Sequence, residues 1–178
     1  MNRRFVAGLV MIVMLVRVGV GRAQEGAKKA EAKPIGVLAW MVGGAWTADT
    51  TKMGNGMQRI ETRYVWSDND AYLRFTTHFV FDKGTVKRYD GNMYWDTEKK
   101  ELAMWYMASD GLVMQGPMRW QGDVLSATFR APDFENKMAD MKVEVTRETN
   151  ALYTWALFEK EGDNWKPLAN LEYVRKVG

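Results

Sequence analysis

From about residue 45 onward, apolar and polar side chains alternate with a period of two, in short runs closed by Gly, Asp and Asn. In Met57–Trp66, Ile60, Thr62, Tyr64 and Trp66 share one face and Arg59, Glu61 and Arg63 the other. Ala71–Phe81 sets Leu73, Phe75, Thr77, Phe79 and Phe81 against Tyr72, Arg74, Thr76 and His78. Thr85–Trp95 sets Tyr89, Met93 and Trp95 against Arg88, Asp90 and Asn92. This is the signature of half-buried β-strands, because successive side chains of a strand point to opposite faces. Together with Ala45–Thr51, Glu101–Ala108, Leu112–Trp120, Val124–Arg130, Met141–Glu148, Leu152–Lys160 and Lys166–Lys176 the pattern predicts ten strands.

The breaks are too short for parallel crossovers and carry hairpin residues, as in Asp82-Lys83-Gly84, Ser109-Asp110-Gly111, Gln121-Gly122-Asp123 and Glu161-Gly162-Asp163. Only Ala131–Asp140 is longer, with room for a helical turn or a flap. The expected fold is therefore all-β: a single up-and-down antiparallel barrel, closed because an open sheet of this size would expose two long edges.

Ahead of the strands, Ile35–Val42 is a short apolar stretch with Pro34 placed for a first helical turn and Gly43-Gly44 as its stop. It predicts a helix capping one barrel end, with Val37, Leu38, Met41 and Trp40 toward the strands. Residues 24–34 read as a polar linker, and residues 1–23 have the layout of a signal peptide. Arg3-Arg4 opens it, Phe5–Val16 is apolar, and small residues precede cleavage after Ala23. Its apolar core is too short to span a bilayer, so no stable membrane span is expected after cleavage. The domain proper is 35–178, and the expected location is periplasmic or secreted.

Charge then changes meaning. The leader holds Arg3, Arg4, Arg17 and Arg22 and no acid, so its loss turns 25 basic residues against 22 acidic into 21 against 22, from net +3 to −1. The basic excess belongs to the leader, and a nucleic-acid partner is not expected. Cysteine is absent, which excludes disulfides, thiol nucleophiles and Cys-ligated metal. Stability must come from the core alone.

Val42-Gly43-Gly44-Ala45-Trp46 resembles the Gly-x-Trp motif that opens lipocalin and other calycin barrels, and Tyr173-Val174-Arg175 resembles their closing segment. With Trp95-Asp96 at the central turn, residues 35–177 are similar to bacterial exported lipocalin-like (calycin-type) domains. The resemblance implies that Gly44, Trp46 and Arg175 form a structural closure, the guanidinium packed across the indole. It carries fold and not activity, since such barrels host carriers, enzymes and structural modules.

The apolar phase predicts an inner wall of Tyr64, Trp66, Phe75, Tyr89, Met93, Trp95, Met118, Trp120, Phe129, Trp155, Leu157, Leu171 and Tyr173, joined by Trp105 or Tyr106 depending on register. Rings with polar edges suit a small hydrophobic or aromatic ligand, while interlocked rings would fill the interior instead. No metal, cofactor or catalytic residue is assigned. His78 is the sole histidine and lies in the phase of Arg74 and Thr76; in nitrobindin-type barrels the haem ligand lies near the C-terminal end, where this chain has no histidine. Paired methionines such as Met104/Met107 fall on opposite strand faces, and carboxylate pairs such as Asp68/Asp70 and Glu159/Glu161 fall in turns or on polar faces. The expected function is a non-catalytic ligand-binding barrel. The alternatives are a cyclase- or isomerase-type enzyme in the barrel cavity and an envelope protein-interaction module.

Overall fold

The computed structural model describes residues 34–53, 56–133 and 135–176. The expected leader, its cleavage point and linker residues 24–33 lie outside the described residues. The chain forms ten antiparallel strands: β1 Ala45–Asp49, β2 Met57–Trp66, β3 Tyr72–Phe81, β4 Gly84–Asp96, β5 Glu101–Ala108, β6 Val113–Gln121, β7 Val124–Pro132, β8 Met138–Arg147, β9 Leu152–Glu161 and β10 Asn164–Lys176. Each pairs with its sequence neighbour, and β1 closes the barrel against β10 through Trp46↔Arg175 and Thr47↔Val174. The hairpin turns supply the left-handed residues that tight connections need, with φ 60° at both Gly122 and Gly162.

Two local expectations resolve differently. Among its described residues, Ala131–Asp140 is mostly strand, in place of the longer loop expected. The ladder runs on through Ala131↔Ala139 and Pro132↔Met138, and the Asp133 carboxylate closes the turn by accepting from the Glu135 and Lys137 amides at 2.7 and 2.8 Å. The N-terminal cap, Pro34–Met41, is a 3₁₀ helix. Three residues per turn line up Ile35, Leu38 and Met41, which are buried, and turn Val37 out to 42% exposure.

This cap seals one end. Met57–Trp66 runs down toward it and Tyr72–Phe81 back up, so the turns 67–71, 97–100, 122–123 and 148–151 lie at the closed end. Turns 82–83, 109–112, 133–137 and 162–163 rim the other. Inward residues near the cap (Leu73, Met93, Leu102, Met118, Leu125, Tyr153 and Tyr173) form one cluster with Ile35, Leu38 and Met41.

Candidate functional site

The closed end is locked from residues upward. Gly44 has φ 77°, and a Cβ there would stand 2.5 Å from the Lys176 carbonyl oxygen, so only glycine lets β1 start beside the end of β10. That start drives Trp46 fully inside, where its indole N–H donates to the Met41 carbonyl at 2.7 Å. The Arg175 guanidinium carbon lies 4.5 Å from the Trp46 ring centre, and Nη2 donates to the Trp40 carbonyl. A cation over an indole face contributes roughly 0.5–2 kcal/mol. Trp40 packs edge-on against Trp46 and Tyr153, with Arg147 5.6 Å from its ring. Burial and the nearby Arg147 charge lower the Arg175 pKa, which leaves so strong a base charged.

Above this plug lies a layer of hydroxyls. Tyr153 bonds Tyr64, Tyr173 bonds Thr62, and the Thr62 and Thr77 hydroxyls are 2.9 Å apart. Burial pushes the Tyr64 phenol up to about 12 and raises Tyr153 and Tyr173 as well, so all three stay neutral donors.

Toward the rim the interior changes character. Phe75, Phe79, Tyr89, Tyr106, Trp155, Leu157 and Leu171 are in the inward phase and half-buried, while Met57, Met114, Phe129 and Met141 toward the same rim are buried in the core. The β3–β5 side is aromatic: Phe79 meets Tyr89 at 5.6 Å, Tyr89 meets Tyr106 at 5.6 Å, and Tyr106 meets Phe75 and Phe129 at 6.0 and 5.7 Å. Gly91 makes room for it, because a Cβ there would stand 2.4 Å from both Phe75 Cζ and Tyr106 Cβ. The β8–β10 side is largely aliphatic, with Val143, Leu157 and Leu171.

The sequence-predicted wall is thus divided. Phe75, Tyr89 and Trp155 are half-buried on the rim side, Phe129 is buried beside Tyr106, and Tyr64 and Tyr173 belong to the hydroxyl layer. Met93 is buried in the core below, with half-buried Trp66 packed against that core. Trp95, Met118 and Trp120 line a groove of about 490 Å³ with Pro34, Val37 and Leu102 at the closed end. Register places Tyr106, paired with Gly91 and Met114, inside and Trp105 outside. Sequence reasoning passed over Tyr153, although it shares the phase of Trp155 and Leu157, and it passed over Gly91, whose signal was a glycine inside a strand. Arg147 had no signal, since only closure brings it to Trp40. His78 faces outward opposite Glu61. A depression of about 650 Å³ lies outside the barrel along β1, β2 and β10, lined by polar groups such as Thr47, Asp49, Arg59 and Glu172. Among the described residues no three His, Asp or Glu side chains cluster as metal ligands, and no helix is long and apolar enough to cross a membrane.

No known family matches the chain, and no curated protein matches it.

Proposed function

We propose that this protein is an exported, non-catalytic barrel of the lipocalin-like kind that binds a small hydrophobic or aromatic molecule in its open end. One observation carries the reading: at the end away from the cap, the inward rings Phe75, Phe79, Tyr89 and Tyr106 pack against one another yet stay only half-buried. Apolar rings left wet inside a barrel gain free energy when a ligand displaces that water, at about 25 cal/mol per Å² covered. The arrangement favours binding over isomerase chemistry because the inward titratable groups are mostly phenols. Burial raises the Tyr89 and Tyr106 pKa values, which makes them proton donors and not bases at neutral pH.

The test is titration of the purified protein with N-phenyl-1-naphthylamine, an uncharged aromatic fluorophore. The expected result is a saturable, blue-shifted emission, displaced by other apolar aromatics and weakened by Phe79→Ala. No enhancement with the wild-type protein, together with unchanged tryptophan emission across lipids and aromatic acids, would remove the reading. Export rests on the sequence of residues 1–23, and Gln24 as the first residue of protein recovered from the producing cells is the expected outcome.

A further inference from the structure

We propose that the ligand is uncharged and carries a carbonyl- or ether-type oxygen beside a flat apolar body, held by hydrogen bonds from Tyr89 and Tyr106. This rests on the binding reading above and narrows it to a chemical class.

The three tyrosines of the plug and floor are hydrogen-bonded or ring-stacked: Tyr64 with Tyr153, Tyr173 with Thr62, and Tyr153 stacked on Tyr173 at 4.8 Å and 14°. Tyr89 and Tyr106 differ. Among the described residues neither phenol oxygen has a hydrogen-bond partner. Both residues are half-buried at the rim side of the core. Their rings sit at right angles, 89° apart, and are wedged between Phe79, Phe75 and Phe129. Packing on several sides fixes where the hydroxyls can point, so they form a preorganised pair of donors in an apolar wall. Such a pair discriminates by what it would leave unpaired: a ligand without an acceptor strands both donors away from water.

Charge argues for neutrality. Among the described side chains, the charged groups in the inward phase near the rim include Glu159, opposite Met141 on one side and Lys166 on the other. That cation is already engaged, its ammonium donating to the Glu161 carboxylate at 2.7 Å, so an anionic ligand would have to compete with a carboxylate of the protein for it. Arg147 and Arg175 lie at the other end, engaged with Asn150 and the Trp40 carbonyl. An ionised group carried into this apolar wall would lose its hydration without compensation. The raised pKa values of the two phenols agree with this, since they keep the donors protonated through neutral and mildly alkaline conditions.

Four ligands sharing one ring system test the proposal: 2-acetylnaphthalene, 2-ethylnaphthalene, 2-naphthoate and 2-naphthyltrimethylammonium, each displacing N-phenyl-1-naphthylamine at pH 7. The expected order has 2-acetylnaphthalene tightest, about tenfold ahead of 2-ethylnaphthalene, as one to two hydrogen bonds in a dry site provide. In Y89F/Y106F, which keeps every ring in place, the acetyl and ethyl ligands converge to within about twofold. Equal binding of those two by the wild-type protein overturns the proposal. So does a preference that survives in the double variant, or tightest binding of the carboxylate or of the ammonium ligand. If the fluorophore binds and the four ligands are not ranked as stated, the chemical class is wrong and the binding reading stands. If neither the fluorophore nor any of the four binds, the binding reading falls and takes this proposal with it.

Discussion

The two ends of the barrel are built from the same ten alternating strands, yet one is a plug and the other a cup. At the plug, eight extra residues, Pro34–Met41, lay a 3₁₀ helix across the opening and bring Ile35, Leu38 and Met41 down onto the strand cluster. Trp46 and Tyr153 there are 0% and 1% exposed. At the other end the described residues hold a shorter 3₁₀ turn, Thr51–Met53, and rings of the same phase remain half-buried. The lesson is that strand patterning sets only which face a side chain takes. Whether that face becomes sealed core or stays half-exposed depends on what packs across the mouth.

The largest expected effect is at the plug. Trp46→Ala removes a fully buried indole, its hydrogen bond to Met41 and the seat of Arg175, and should destabilise the protein by about 3–5 kcal/mol in a denaturant melt. A loss under about 1 kcal/mol would mean that the two ends are not energetically different.

Alkaline unfolding sharpens the contrast further. The phenols of Tyr64, Tyr106, Tyr153 and Tyr173 are all raised above an unfolded value near 10, Tyr64 to about 12. A folded pKa above the unfolded one means that the native state holds more protons in the interval between them. Stability is therefore full below about pH 10 and declines as pH rises from there through about 12. Following the melting temperature from pH 8 to 12 checks it; a flat profile above pH 10 would contradict the buried hydroxyl layer.

Gly91→Ala strikes the cup wall. The added carbon meets Phe75 and Tyr106 at 2.4 Å, so the rings must move, at a cost of about 1–3 kcal/mol. The same shift should weaken N-phenyl-1-naphthylamine binding by more than the stability loss alone would suggest. Unaltered binding would separate the rings from the ligand.

The smallest and most discriminating comparison pairs two conservative changes. Tyr153→Phe breaks its bond to Tyr64 and leaves a buried hydroxyl with one partner fewer, costing about 1–2 kcal/mol. Tyr106→Phe removes a hydroxyl with no hydrogen-bond partner among the described residues and should change stability by less than about 0.5 kcal/mol. Equal losses in chemical denaturation would erase the distinction between a structural floor and a ligand-facing wall.

Much of the fold was written in the alternation. Phase placed Phe75, Phe79, Tyr89 and Phe129 inside, and short Gly/Asp turns required neighbouring strands to run antiparallel. Gly44-Ala45-Trp46 and Arg175 pointed to where the barrel shuts, because a glycine beside an aromatic and a late arginine are tied to one local geometry. The cap's own form was less legible, since an apolar octet with proline first suits a 3₁₀ turn as well as an α-turn. Only the burial of Ile35 and the exposure of Val37 distinguish them.

Sequence by itself therefore determined the ten-stranded closed architecture and the inward phase of its rings, for a local reason: period two is a property of neighbouring residues. It could not settle how far along the barrel axis each ring would lie, nor which would be covered. Trp95 and Tyr89 share one face of one strand, yet the first opens beside the cap and the second into the cup. Height, shear and the reach of Tyr106 to Phe129, two strands away, are set by closure of the whole sheet, a constraint carried by no segment alone.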